Sequence, residues 1–263
     1  MKKILTLTTA VLLTLALSAC GEESTEDNSL DKVKEEGVLV MGLDATFAPM
    51  GFTDDDDDIV GYDVDLAKEV ADRMGVELEL QPIDWNAKVL ELDTENIDIV
   101  WNGFTITDER AEKVLFSDPY MNNRQIVMTQ DNSIETIDDL EGLNVGVQMQ
   151  SSGQSALEKS DVYDDLEEVT KFDTYDLALE DLKSERIDAV VIDEVMGRYV
   201  NTRQGDVYSI PDFSLGDEEY GIGFRLGDEA LKEEIESILE AMKEDGTGAD
   251  IAREWFDEDV FMK

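Results

Sequence analysis

The chain has 263 residues, with 21 Lys and Arg against 65 Asp and Glu and no histidine, for a formal net charge of −44. So acidic a surface repels nucleic acid and anionic lipid headgroups, which excludes both as binding partners. A hydrophobic content of 42% excludes a disordered polyelectrolyte, and one cysteine excludes an internal disulfide.

In chain order, Lys2 and Lys3 form a short basic region, and residues 4–17 are an almost wholly apolar run. That run is too short to span a bilayer comfortably and gives way to polar sequence, so residues 1–19 read as a signal peptide. Leu17-Ser18-Ala19-Cys20-Gly21 resembles the bacterial lipobox, in which the cysteine is diacylated and becomes the new N-terminus. Cys20 is therefore the expected lipidation site, and residues 20–29 an acidic, flexible tether. These features predict an extracytoplasmic protein held at the cell membrane through an N-terminal lipid alone. The acid load is spread along the chain, as on proteins from high-salt habitats, where screening weakens self-repulsion.

Past the tether, short β-branched or aromatic runs alternate with amphipathic helical patterns. Residues 38–43 read as a strand and 62–74 as a helix, with Val64, Ala67, Val70, Ala71 and Met74 near helical spacing. The five consecutive acids at 54–58 lack the glycine and terminal glutamate of a calcium loop and read as a solvated hairpin tip. Residues 77–82 alternate like a strand, 85–92 return to helix, and 97–101 form another short apolar strand. Strands follow at 125–129, 144–148 and 189–192, with helices at 155–159 and 176–184. The chain closes with a helix at 228–244, stopped at Gly246, and a short helix through Trp255. This alternation predicts an α/β architecture with mostly parallel sheets, in two small lobes or one large unit.

Gly61-Tyr62-Asp63-Val64-Asp65-Leu66-Ala67-Lys68-Glu69-Val70-Ala71 resembles the signature of the polar amino-acid family (family 3) of ABC-transporter solute-binding proteins. Ile97-Asp98-Ile99-Val100, residues 105–110, Phe116-Ser117-Asp118-Pro119-Tyr120, and residues 139–148, 187–193 and 221–225 follow in the family's order. Asp245-Gly246 and Trp255-Phe256 complete the set. The resemblance implies an α/β, two-lobe periplasmic-binding-protein-like fold of type II, with a ligand cleft between lobes joined by two hinge strands. Lobe 1 would comprise residues 30–122 and 217–263, and lobe 2 residues 123–216. It also implies a monomer that binds a free polar L-amino acid outside the cell and delivers it to an ABC importer permease, with no cofactor and no metal. Asp63 and Asp65 are expected to cap a helix rather than touch ligand, so that truncating Asp63 lowers stability and spares affinity. Phe116, Pro119 and Tyr120 are expected to close lobe 1 near its crossing point.

A zwitterion brings a carboxylate and an ammonium, and burying either is costly unless it is paired and hydrogen-bonded. The resemblance places Arg110 on the carboxylate, where a planar bidentate donor suits best. Thr105 adds its hydroxyl and N–H, and Ser151 and Ser152 hold the carboxylate from lobe 2. Asp193, after an apolar strand, is the expected ammonium partner. Asp44, Phe47, Trp85, Asn102, Gly103 and Phe104 surround the ligand's side chain, the aromatics also being ordinary core candidates. The family's glycine before the paired hydroxyls is replaced by Gln150, so Gln148 and Gln150 are both candidates to point into the cleft. Acidic Asp44 beside aromatics suits glutamine, arginine, lysine or histidine better than an aliphatic ligand.

Two other readings stay open. A carboxylate-dependent enzyme on the same fold remains possible, although the lack of histidine and the single cysteine exclude Ser/His and Cys/His nucleophile schemes. An amino-acid-sensing ectodomain is the other. No histidine ligands or organised carboxylate cluster point to a metal.

Overall fold

The computed structural model describes residues 27–261. The expected signal peptide and Cys20 lie outside the described residues. Helix α1 (Ser29–Glu36) precedes strand β1 (Val38–Leu43) and the short strands β2 (Thr46–Phe47), β3 (Gly51–Thr53) and β4 (Ile59–Val60). Next come α2 (Tyr62–Met74), β5 (Glu77–Pro82) and a 3-10 turn, Trp85–Ala87, that runs into α3 (Lys88–Asp93). β6 (Ile99–Val100), α4 (Asp108–Ala111) and β7 (Leu115–Phe116) complete this first pass. The long β8 (Met121–Thr129) leads into β9 (Asn144–Gln148), α5 (Ser152–Glu158), β10 (Glu168–Phe172) and α6 (Tyr175–Lys183). They are followed by β11 (Ala189–Asp193), α7 (Glu194–Arg203) and β12 (Gly216–Tyr220). The chain returns through β13 (Gly223–Phe224), α8 (Glu229–Asp245) and α9 (Thr247–Phe256).

Ten of these strands build two five-stranded sheets, β5-β1-β6-β13-β7 and β10-β9-β11-β8-β12, each the centre of one α/β lobe, and β2-β3-β4 form a small third sheet. The two large sheets are mixed, which corrects the expectation of mostly parallel pairing. β8 and β13 are the first strands laid down after the chain changes sheet, and each runs antiparallel to both its neighbours. The two passages between sheets lie side by side. Tyr120 N donates to Tyr220 O at 2.9 Å, and Ser117 N to Ile222 O at 2.9 Å. Phe116, Pro119 and Tyr120 thus sit where the lobe 1 sheet ends and the crossing begins, as expected.

Helix α2 shows how sequence spacing becomes lobe 1 core. Its buried face carries Tyr62, Val64, Leu66, Ala67, Val70, Ala71 and Met74, and Gly75 ends it in the left-handed region at φ 77°. All of these but Ala71 join one cluster with Leu39, Met41 and Leu43 of β1. Each fully buried large aliphatic contributes about 1.5–3 kcal/mol. In lobe 2, Val127, Val145, Val147, Leu157 and Val191 form a separate cluster beneath the second sheet.

The acidic run at 54–58 is a hairpin tip between β3 and β4, with Asp54 Oδ1 accepting from the N–H groups of Asp56 and Asp58. Residues 27–29 of the expected tether are instead docked on the lobe. Asp27 Oδ1 accepts from Ser29 N at 3.0 Å, and the buried Ser29 Oγ accepts from Leu231 N at 3.2 Å.

Candidate functional site

A small cavity lies between the lobes. Lobe 1 lines it with Asp44, Phe47, Trp85, Asn102, Gly103, Thr105 and Arg110, and lobe 2 with Gln148, Ser151, Ser152 and Asp193. The structure thus brings eleven of the thirteen sequence-predicted residues to one cavity, leaving Phe104 and Gln150 outside its lining. Phe104 is fully buried behind the wall, packing on Trp85 and Phe116 at ring centroid distances of 5.5 and 4.8 Å. Its ring also lies 4.9 Å from the Arg110 guanidinium carbon, so it is a platform beneath Arg110.

Strand ends place most of these groups. Asp44 follows β1, with Oδ1 accepting from Thr46 N (3.0 Å) and Thr46 Oγ1 (2.7 Å). Its N–H donates to Asn102 Oδ1 at 3.1 Å, joining the loops after β1 and β6. Gly103 adopts φ +59°, and an added Cβ would come within 2.8 Å of Phe47, so this turn requires glycine. Its N–H donates to Asp63 Oδ2 at 2.7 Å.

Asp63 therefore corrects the helix-cap reading. The N-terminus of α2 has no side-chain cap, and the buried Asp63 carboxyl instead accepts from Gly103 N and from Tyr120 OH at 2.9 Å. Burial pushes this carboxyl up to about 7, against the lowering effect of those two bonds. Asp65 also does more than sit at a helix start, accepting from Trp255 Nε1 at 2.9 Å.

Arg110 closes the lobe 1 wall. Its NH1 donates to Thr105 O at 2.8 Å, and its NH2 reaches across the cleft to Gln150 O at 3.2 Å. Burial pulls its proton affinity down, opposed by the charges of Glu218 and Asp193. The buried Asp193 ends β11 and does not cap α7 with its side chain. It accepts from Asn123 Nδ2 (3.0 Å), Tyr220 OH (2.7 Å) and Tyr175 OH (3.2 Å).

The lobe 2 loop shows what became of the missing glycine. Gln150 takes the left-handed conformation, φ 57°, and presents its carbonyl to the cleft while its residue stays exposed. Gln148 is the glutamine that points inward, donating from Nε2 to Asp44 Oδ2 at 2.7 Å. Ser151 Oγ caps α5 by accepting from Gln154 N at 3.0 Å. Ser152 Oγ accepts from Thr105 Oγ1 at 3.0 Å and from Gln125 Nε2 at 3.0 Å. The cleft is closed by these contacts between lobes.

Sequence reasoning missed Lys88, Asn123, Gln125, Tyr175, Glu218 and Tyr220. Lys88 is 3% exposed, and its ammonium donates to Trp85 O (2.9 Å) on its own lobe and Gln150 O (3.3 Å) on the other. It also lies 4.7 Å over the Trp85 ring. Burial, then repulsion from Arg110, lowers its pKa to about 6. A lysine in the middle of a predicted helix 85–92 was a usable signal. The others come from hinge strands or the start of α6, where nothing in the local pattern marks an inward side chain.

Residues 39–258 match the family model of bacterial extracellular solute-binding proteins, family 3. The chain belongs to that family. The L-cystine-binding protein TcyJ of Escherichia coli K12 is 33% identical to this family 3 protein over 95% of the chain and 94% of the relative. The arginine-binding extracellular protein ArtP of Bacillus subtilis 168 is 33% identical over 97% and 98%. Among solved structures, an ABC uptake transporter substrate-binding protein from Streptococcus pneumoniae with bound histidine superposes with a TM-score of 0.87. It is 36% identical and covers 91% of this chain and all of its own. Among the described residues, no helix of this family 3 protein is long and apolar enough to cross a membrane, and no His, Cys, Asp and Glu cluster could hold a metal ion.

Proposed function

We propose that this family 3 protein captures a free polar L-amino acid outside the cell and delivers it to the permease of an ABC importer. The observation that carries the reading is the pairing of Arg110 and Asp193 across one interlobe cavity. A guanidinium and a carboxylate on opposite walls match the two charges of an amino-acid backbone. Thr105, Ser151 and Ser152 would complete the carboxylate's shell. Asp44 would accept from a donor at the far end of the ligand, with Phe47 and Trp85 against its stem. A guanidinium, a carboxamide, an imidazole N–H or the second ammonium of cystine each supplies such a donor. The relatives that bind cystine, arginine and histidine fall within this range. Cys20 would carry the lipid that holds the protein, as a monomer, at the membrane.

A thermal-shift screen against the twenty amino acids and cystine, in moderate and high salt, tests the reading. A ligand that binds only the folded state at a hundred times its Kd stabilises by about 2.7 kcal/mol. A shift is expected for one or a few polar amino acids and for none in Arg110→Ala. No shift with any of them contradicts the proposal.

A further inference from the structure

Asp193 has an acidic neighbour outside the cavity lining. Glu218 lies on β12, directly opposite Asn123 of β8 in the antiparallel register. Asn123 Nδ2 donates to both carboxyl groups, at 3.0 Å to Asp193 Oδ1 and 2.6 Å to Glu218 Oε1. One amide nitrogen therefore bridges the two acids. Gln125 Nε2, from the same strand, donates to Glu218 Oε1 at 2.8 Å and to Ser152 Oγ at 3.0 Å, which ties the pair to the lobe 2 wall.

On its open side Glu218 shares surface pockets with Lys159, Asp138, Asp161, Asp217 and Glu219. Arg110 on α4 feels both carboxyl groups, while Tyr175 on α6 and Tyr220 on β12 donate their hydroxyls to Asp193. Glu194, next along from Asp193, is engaged with Arg124 and Arg198. With Asp193 buried and Glu218 half-buried around one shared amide donor, the like charge of Glu218 disfavours ionising Asp193. Burial first, and then the charge of Glu218, hold the Asp193 carboxyl well above the usual carboxylate range.

We propose that Glu218 is a positioning residue that makes Asp193 keep a proton until the ligand's ammonium arrives, so that amino-acid capture releases one proton. The inference rests on the reading of the cleft as an amino-acid site. The Asp193 O–H ionises, its proton passes to solvent, and the ammonium's N–H groups take its place; no other bond changes. Affinity then rises with pH by about tenfold per unit while Asp193 is protonated in the free protein, and levels off above that range. Glu218→Gln keeps the size and an acceptor oxygen but removes the second charge, which flattens the dependence.

Calorimetric titration of the purified protein with L-arginine and L-glutamine, in buffers of contrasting ionisation enthalpy from about pH 5 to 8, counts the protons released. The α-ammonium of a free amino acid, less acidic than a chain terminus at about 7.7–8.0, stays largely charged over that range. Thermal midpoints of the ligand-free wild type and Glu218→Gln are followed over the same range. Wild type is expected to release close to one proton at the acid end, and Glu218→Gln close to none. A group whose proton affinity rises on folding loses its stabilising effect as pH increases, so the wild-type midpoint should fall more steeply with pH than that of Glu218→Gln. Binding without proton release, or with equal release in both proteins, overturns the proposal. Equal pH slopes in the two ligand-free proteins overturn the retained proton alone. Failure of both amino acids to bind overturns the reading of the site and the coupling with it.

Discussion

Arg110 and Lys88 both donate to the carbonyl of Gln150, but only Arg110 lines the cavity. A charged hydrogen bond contributes about 1.5–3 kcal/mol, so losing one bond from Arg110 to a carboxylate ligand costs roughly tenfold or more in affinity. Arg110→Lys is expected to recover only part of that, because an ammonium lacks the planar fork. Lys88 has no carboxylate partner for its charge among the described residues. Its folded pKa of about 6 lies below that of an unfolded lysine, so it destabilises the fold below about pH 10 and most of all at acid pH. Lys88→Met should therefore raise the thermal midpoint at pH 6–7, with the gain shrinking toward pH 10. It should also weaken ligand affinity a few-fold by removing a tie between the lobes. A midpoint difference independent of pH would show that Lys88 stays charged in the fold. Asp63 makes the opposite case. Its carboxyl at about 7 contributes stability at low pH that is lost as pH rises through 7, so Asp63→Asn should gain on wild type between pH 5 and pH 8. Asp63→Ala should cost affinity as well as stability, because it releases Gly103 N in the cleft wall. Paired denaturation and binding curves check both.

At the scale of elements, helices with a strong apolar stripe were legible to within a residue or two. Helices 62–74 and 228–244 needed almost no correction, because burial on one face and a left-handed glycine at the helix end fix the boundary locally, and strand 38–43 matched its apolar run. Helix α1, helix α7 and strands β10 and β12 were not legible. β12 is Gly-Asp-Glu-Glu-Tyr, with four of its five residues at least partly exposed, and it is a strand only because β8 offers it hydrogen bonds. The same non-local cause hid Glu218. The candidate site was legible through the ordered family motifs, whereas the side chains supporting it from the hinge carry no motif. Helix α5 shows a packing constraint that its sequence does not advertise. An added Cβ on Gly153 would meet Gln125 Oε1 at 2.7 Å, Tyr175 OH at 3.0 Å and Val191 O at 3.2 Å. Gly153→Ala should therefore push the Ser151–Ser152 segment toward the cavity. The expected cost is about 1–3 kcal/mol of stability, with weakened binding, measured by chemical denaturation and titration. Unchanged affinity would mean that the loop absorbs the strain elsewhere.

For the molecule as a whole, the two sheets meet through two adjacent passages, so each lobe can move as a body about the segments 117–121 and 220–223. Hydrogen bonds from Gln148 to Asp44, Thr105 to Ser152, and Arg110 and Lys88 to Gln150 hold the lobes together around the cavity. A ligand that bonds to both walls adds to that set and shifts the population toward closure. The net charge of −44 acts over the same scale as self-repulsion, which salt screens. The unfolding midpoint is expected to rise between low and molar salt, and a flat or falling midpoint would remove the case for a high-salt surface. The most direct test of the cleft's role is calorimetric titration of wild type, Arg110→Ala and the surface control Arg198→Ala with L-arginine, L-histidine and L-glutamine. Saturable binding of at least one of these, weakened tenfold or more in Arg110→Ala and unchanged in Arg198→Ala, is the predicted result. An isotherm that Arg110→Ala leaves unaltered would contradict the assignment of this cleft to the amino-acid carboxylate.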